Sequence, residues 1–499
     1  MRKVHSVGVE IEMPVVDLKT GDSHRTFSFF ETVRRLKAAR LEHAALDVID
    51  GQLIAVCTAL VKTGMDNGFN NLESSIGPLA TGERVLTSLH EFIVEELRDV
   101  QTALQEEEAS IINFSEHPDT EITPEFYRKT RAPKPIYDYW TGYRNWNHAC
   151  GMDAKAHNGP TTGVSIHDAI EALNVILGLS PALIAIYANS PFEGGRLTGF
   201  QENRLTIWPR MFSCSRFGCD LKFQQWPDAP FRNLRDYFLW MFGPDTRMQF
   251  VTCADSTNYK ESGSIVLIPG DPPLLEFLRK GACKGAVLNT LEEVNIVPVM
   301  RHLEFHQFVP FLDARIRYAL ADPDLPVHGF FEAFDGADED LTEFFSRHAR
   351  YCYIEGRASG ANFPDAALAA ESDPDVVRSV VISPSALQNG LINNLPEASK
   401  LLSSYHWPDL AGLRSQAIKR GLAAEYNGIR VKDVCSRVIE IAARGLPGEE
   451  HWMFAYPEFV LSKGKNGADR AIEAFEKQTG TVAERLRKVI VNRRLLMGS

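Results

Sequence analysis

The sequence lacks any run long and apolar enough to read as a membrane span. Its longest apolar stretch, residues 169–188, is interrupted by Glu171, Asn174, Ser180 and Pro181 and reads as two helices of a soluble fold. Basic charge is short as well. The 53 Lys and Arg against 65 Asp and Glu give a formal net charge of −12, which argues against a nucleic acid or an anionic membrane as partner. Cysteine is sparse: Cys57, Cys150, Cys214, Cys219, Cys253, Cys283, Cys352 and Cys435 are scattered, with no C-x-x-C pair. That pattern speaks against structural zinc or an iron–sulfur cluster and for reduced thiols in a cytoplasm. No secretory leader is read, because Met1-Arg2-Lys3-Val4-His5 runs straight into an acidic strand. No internal repeat or low-complexity segment is evident. What remains is the composition of an ordinary globular protein, long enough at 499 residues for two or three domains or one large enzyme fold with insertions.

The richest stretch comes almost at once. In Val7-Gly8-Val9-Glu10-Ile11-Glu12-Met13, strand alternation puts Val7, Val9, Ile11 and Met13 on one face and Gly8, Glu10 and Glu12 on the other. Two carboxylates side by side repel each other. They belong either on a wet edge strand or around a hard cation such as magnesium. The apolar second face places the strand centrally in a sheet. A helix is expected over residues 27–41, and a hairpin turning at Asp50-Gly51 over 46–59. A second acidic strand follows the Asn67-Gly68 turn, with Leu72 and Ile76 on one face and Asn71, Glu73 and Ser75 on the other; Asp66 lies in the loop before it. Residues 81–108 carry a helical apolar stripe, with Glu106 to Glu108 its solvated end. Residues 111–114 read as a buried strand. Residues 117–146, rich in proline and aromatics, read as a long ordered loop over a site.

Next come a glycine-punctuated strand or loop at 157–166, helices at 168–179 and 181–188, and a Gly-rich loop carrying Arg196 and Arg204. Arginines in such a loop either recognise an anion, through the planar guanidinium fork, or lie on the surface. His302-Leu303-Glu304-Phe305-His306 is either a strand face with three ligands or a helix surface. Residues 321–343, acidic and punctuated by proline and glycine, read as a mobile loop. Tyr351-Cys352-Tyr353-Ile354-Glu355-Gly356-Arg357 is a strand with Tyr353, Glu355 and Arg357 on one face. The tail from Pro384 is helical, ending in a basic surface helix at 485–494.

Three of these stretches together resemble the glutamate–cysteine ligases and related carboxylate–amine ligases. They are Gly8-Val9-Glu10-Ile11-Glu12 (G-x-E-x-E), Asn71-Leu72-Glu73, and residues 188–204, which are similar to A-N-S-P-F-x-x-G-x-x-T-G-F-x-x-x-R. The last is the most specific. Tyr353-Ile354-Glu355-Gly356-Arg357 is similar to the family's late Y-x-E-x-R strand. The resemblance implies an α+β, glutamine-synthetase-like fold: a curved, mostly antiparallel sheet forming the active site, flanked by helices, with a helical C-terminal part. Residues 1–383 would be the catalytic domain and 384–499 the helical region packed on it. The implied reaction is ATP-dependent ligation of the γ-carboxylate of glutamate to an amine through an acyl phosphate. The resemblance further implies two or three Mg2+ held by Glu10, Glu12, Asp66, Glu73, Glu355 and His157. Arg357 would meet ATP phosphates, Arg204 a substrate carboxylate or the transferring phosphoryl group, and Arg196 would assist in nucleotide binding. The sequence departs from the family at residues 157–166, where Gly159-Pro160 replaces an alternating run similar to Q-V-N-x-D or H-V-H-V. That opens the choice of acceptor amine, so the alternatives are a same-fold ligase with other substrates and a non-catalytic binding member.

Overall fold

The computed structural model describes residues 4–49, 51–82, 84–120, 123–150, 155–252 and 264–497. The expected turn residue Asp50, the N-terminal Met1 to Lys3, and Cys253 lie outside the described residues. The other seven cysteines are free thiols.

The opening strand β1 (Val4–Asp17) pairs antiparallel on both sides, so its central position is as expected. Around it the chain lays down β2 (Ala45–Ile49), β3 (Gln52–Cys57), β4 (Val61–Met65), β5 (Asn71–Ala80), β6 (Ala109–Ile111) and β7 (Asn158–Val164). A two-stranded hairpin, β8 (Phe192–Glu193) and β9 (Arg196–Leu197), follows. A separate four-stranded sheet is made of β10 (Val251–Thr252), β11 (Ile265–Leu267), β12 (Cys283–Val287) and β13 (Glu293–Ile296). Two later strands, β14 (Ala314–Leu320) and β15 (Ala349–Gly356), return to the main sheet. Its order is β14-β15-β7-β1-β5-β4-β3-β2, with β6 beside the end of β1, and every pairing is antiparallel.

Register divides the sheet into two unlike faces. Glu12 sits opposite Glu73, Glu10 opposite Ser75 and Gly159, and Glu355 opposite Thr161 and Arg315. Residues paired across a ladder share a face, so these acidic and basic side chains all project to one side. The other side carries Val7, Val9, Ile11, Leu72 and Ile354 and is sealed by helices. The helix Val85–Glu106 buries Leu86, Leu89, Ile93, Leu97, Val100 and Leu104. Its Glu96 enters the core as a satisfied polar group, accepting from Lys37 (2.7 Å), Thr63 (2.5 Å) and Ser74 (2.7 Å). The helix Ser383–Asn393 lies against β1 and β7. Its Gln388 amide donates to Pro160 O, Thr162 Oγ1 and Ile354 O. Residues 169–188 form two buried helices, Ala169–Gly178 and Ser180–Tyr187, bent by 48° at their junction. No single helix among the described residues is long and apolar enough to cross a membrane.

Several expectations are corrected. Residues 117–146 are not a long loop. They hold the helices Pro124–Thr130 and Pro135–Asp138, each with proline in its first turn, which is a helix-start signal, and a π-helical turn at Tyr139–Tyr143. Residues 321–343 are not a loop either. The helices His328–Asp335 and Asp340–His348 bury Phe330, Phe331, Phe334, Leu341, Phe344 and Phe345 against each other, and the acidic residues face outward. The segment holding His302, Glu304 and His306 is a helix, Met300–His306. On it His302 and His306 are buried, and Glu304 cannot share their face. The basic helix Val482–Asn492 is at the surface as expected, but Arg493 after it is buried. It is bound by Asp365 (3.3 Å), Asn189 Oδ1 (2.9 Å) and Gly467 O (3.1 Å).

Candidate active site

The polar face of the main sheet floors a cleft of about 400 Å³. Glu10 and Glu12 of β1 and Glu73 of β5 line it, with Asp66 from the loop between β4 and β5. Arg315 and Arg317 of β14 and Tyr353 of β15 close one end, next to Arg357 just beyond β15. Trp140, Trp208, Phe308 and Phe311 supply apolar wall, and Glu304 of the Met300–His306 helix lines the cleft beside β14, accepting from Leu320 N. Two small residues let the carboxylates meet across β7. A Cβ on Gly8 would stand 2.6 Å from Thr161 Oγ1 and 2.7 Å from Ile76 O. One on Gly159 would stand 2.4 Å from the His157 ring.

Within the cleft, Glu12, Asp66 and Glu73 each offer a carboxylate oxygen, and these three atoms lie within 4.8 Å of one another. Lys155 reaches between two of them, its Nζ 3.0 Å from Asp66 Oδ2 and 3.5 Å from Glu12 Oε1. The His157 amide donates to Glu12 Oε2 (2.9 Å) and its Nε2 lies 3.4 Å from Glu12 Oε1. His157 Nδ1 is buried without a hydrogen-bond partner. On the other side of Glu10, the carboxylate of Glu355 is clasped by Arg315 (2.7 Å), Arg357 (2.8 Å) and Arg317 (3.4 Å).

These surroundings split the carboxylates by charge. Burial, with Glu355 and Glu73 close by, pushes Glu10 up to about 8. Burial would raise Glu12 as well, but His157, Lys155 and Arg357 outweigh it and hold it well below the usual carboxylate range. Glu355 is buried too, and Arg315, Arg317 and Arg357 keep it ionised. Hard oxygen donors gathered this closely suit a divalent cation such as Mg2+, and His157 reaches the group through its Nε2 contact with Glu12.

The two arginines of the Gly-rich loop are elsewhere. Arg196 is exposed in the β8–β9 hairpin and does not line the cleft. Arg204 is buried behind it. Its Nε donates to Glu202 (2.8 Å) and its Nη2 to the carbonyls of Arg357 (3.1 Å) and Ala358 (3.2 Å). The two ends of the loop motif, residues 188–192 and 202–204, form a buried knot beneath the exposed hairpin. Glu202 accepts from Asn189 N and Ser190 Oγ, and Asn189 Nδ2 donates to Asn113 Oδ1 and Ala361 O. Arg204 does not line the cleft, and its bonds to the carbonyls of residues 357 and 358 make it a brace for the turn that carries Arg357.

Sequence reasoning passed over Arg315, Arg317 and Lys155. The first two carried a signal, since Ala314-Arg315-Ile316-Arg317-Tyr318 alternates apolar and basic residues as a half-buried strand does. Lys155 carried none, because only tertiary contacts bring it to the acidic cluster.

Residues 6–231 match the family model for glutamate-cysteine ligase family 2 (GCS2). This is the family resembled by the motifs, and the match supports a ligase. It takes in Glu10, Glu12, Asp66, Glu73 and His157 but ends before Arg315, Glu355 and Arg357. A sequence search of curated proteins finds no match. Among solved structures, the chain is similar to the glutamate–cysteine ligase of Francisella tularensis in complex with AMP. The TM-score is 0.50 at 13% identity, covering 98% of this chain and 89% of that one. The mixed α/β architecture around a large antiparallel sheet is therefore shared with a glutamate–cysteine ligase. A bifunctional glutathione synthetase from Pasteurella multocida aligns with a TM-score of 0.44 at 12% identity, over 98% of this chain and 52% of that one.

Proposed function

We propose that this protein is an ATP-dependent carboxylate–amine ligase that activates the γ-carboxylate of glutamate and joins it to the amine of cysteine or another amino acid. One observation carries the reading. The carboxylates of the family-matched half, Glu10, Glu12, Asp66 and Glu73, share a cleft with the Glu355–Arg357 end of β15, from outside the match. The AMP bound by the Francisella ligase supports a nucleotide as the activating substrate.

In this reading a γ-carboxylate oxygen of glutamate attacks the terminal phosphorus of ATP, the bond to ADP breaks, and an acyl phosphate forms. The acceptor amine then adds to the acyl carbon, loses its proton, and inorganic phosphate leaves. Such transfers need positioning and charge neutralisation more than covalent help from the protein. Arg357, Arg315 and Arg317 present cations to the phosphate oxygens, and Trp140, Trp208, Phe308 and Phe311 limit water at the acyl phosphate. Glu12, Asp66 and Glu73, with Glu10, Glu355 and His157 next to them, would hold Mg2+. When bound, Mg2+ supplies charge neutralisation of the phosphates. Residues 157–166, with Gly159-Pro160, lack the alternating run similar to the family's, which makes an acceptor other than cysteine the second reading. Cysteine as acceptor would place the reaction in glutathione biosynthesis. The free thiols favour a cytoplasmic setting. We read residues 384–499 as a buttress for the catalytic part at 1–383.

The test is ADP release by the purified protein with ATP, Mg2+, glutamate and a panel of amino acids and amines, with products read by mass. Glutamyl-cysteine supports the first reading, and another glutamyl amide the second. No ADP with any acceptor overturns both and leaves a binding protein. Glu73→Gln, which removes charge at nearly constant volume, is expected to lower ADP release by roughly 10² or more, the scale of losing one electrostatic contact to a transition state.

A further inference from the structure

Lys155 is 3% exposed, at the inner end of the cleft. Its Nζ is 3.0 Å from Asp66 and 3.5 Å from Glu12, the edge of the cluster those residues form with Glu73. Trp208 covers it, with Nζ 5.3 Å from the ring centroid. Its backbone is pinned as well. Asn71 Nδ2 donates to Lys155 O (2.6 Å), and the next amide, Ala156 N, donates to Ser115 O (2.5 Å). A buried ammonium needs anionic partners, and three carboxylates this close need a cation. Lys155 gives Glu12 and Asp66 a positive charge, and they give it its anionic partners.

Resting on the ligase reading above, we infer that Lys155 is a built-in cation at the metal cluster, competing with a divalent ion for the Glu12–Asp66 edge. A divalent ion entering there meets carboxylates already neutralised in part, and its like charge repels the ammonium at short range. Binding is therefore weaker than the carboxylate set alone would give. The cluster in turn stays assembled between turnovers, because Lys155 holds Glu12 and Asp66 together.

The experiment is titration of the full-length protein with Mn2+, following free Mn2+ by its paramagnetic resonance signal, with thermal unfolding as a check on folding. Lys155→Met and Lys155→Gln are expected to bind Mn2+ about tenfold more tightly than wild type. Lys155→Arg, which keeps the charge, is expected to stay near wild type. A lysine that only supported the fold would give the opposite sign, since loosening the site weakens binding. Unchanged or weaker binding by the folded Met and Gln variants overturns the inference, as does failure of both to fold. Glu73→Gln separates the two layers of the argument. If wild type binds Mn2+ and Glu73→Gln does not, the metal site stands, and the Lys155 variants decide the inference alone. If wild type binds none, the metal site and the inference both fall.

Discussion

Arg204 and Arg357 are the same side chain put to different uses by their neighbours. Arg204 spends its donors on Glu202 and on the carbonyls of residues 357 and 358. Removing it leaves Glu202 buried without its cation, and breaking a buried pair from one side costs about 3–5 kcal/mol. Arg204→Ala is therefore expected to lower the unfolding temperature clearly. Thermal unfolding measures this, and an unchanged melting temperature together with a tenfold rise in the KM for glutamate would restore a substrate role. Arg357 lines the cleft and donates to Glu355 from Nη1. Lysine keeps its charge and loses the planar fork. Arg357→Lys is expected to fold and to lose roughly 10² in turnover, measured as ADP release. Full turnover would reduce Arg357 to a partner for Glu355.

At the scale of elements, the C-terminal helices are tied to the sheet by a few polar contacts as well as by apolar packing. Asp313, one residue before β14, accepts from Arg414 of the helix Trp407–Arg420 at 2.5 and 2.6 Å and from Ser180 Oγ at 2.7 Å. Burial would raise the Asp313 carboxyl, but Arg414 and Ser180 outweigh it and hold it below its ordinary value of 3.8. A carboxyl depressed in the folded state adds stability above its unfolded value, and that stability is lost as pH falls through the folded one. Asp313→Asn should thus destabilise at pH 7, and its gap from wild type should narrow below about pH 4, where the carboxyl of the unfolded chain begins to protonate. The proton is taken up there by the unfolded chain, since the folded carboxyl is held lower; thermal unfolding at several pH values reads the gap, and one constant with pH would show that the charge is immaterial. The elements misread from sequence have a common cause. In residues 321–343, acidic residues, proline and glycine masked the apolar stripe of two helices that bury Phe330, Phe334, Leu341 and, just beyond, Phe345; Phe330 and Phe345 pack on Phe238, and Phe345 on Tyr318.

For the whole molecule, the cleft joins chain ends of the sheet that are far apart in sequence, with β1, β4 and β5 on one side and β14 and β15 on the other. A ligand that fills it binds the folded state alone. Mg2+ with ATP is therefore expected to raise the unfolding temperature, by about 2.7 kcal/mol of added stability at a hundred times its dissociation constant. A chelator should reverse the shift and Glu73→Gln should abolish it. Differential scanning calorimetry reads this, and the absence of any shift would count against the nucleotide site.

The sequence alone determined the strands β1, β5 and β15 and their polar faces. Alternation with period 2 is a local property, so Glu10, Glu12, Glu73 and Glu355 could each be put on a polar face from their immediate neighbours. The motif at residues 188–204 could be recognised, but its work could not. Only the fold shows that its two ends are a buried knot, because Asn189 donates to Asn113 and Ala361 and accepts from Arg493, all remote along the chain. Tertiary structure also decided which charges meet. Lys155 enters the carboxylate cluster, and Arg315 and Arg317 clasp Glu355, through pairing of strands and loops distant in sequence. Charge states follow from that company. Glu10 and Glu12 are two residues apart on one strand, yet one is pushed up and the other down, since electrostatic surroundings depend on distance in space and not along the chain.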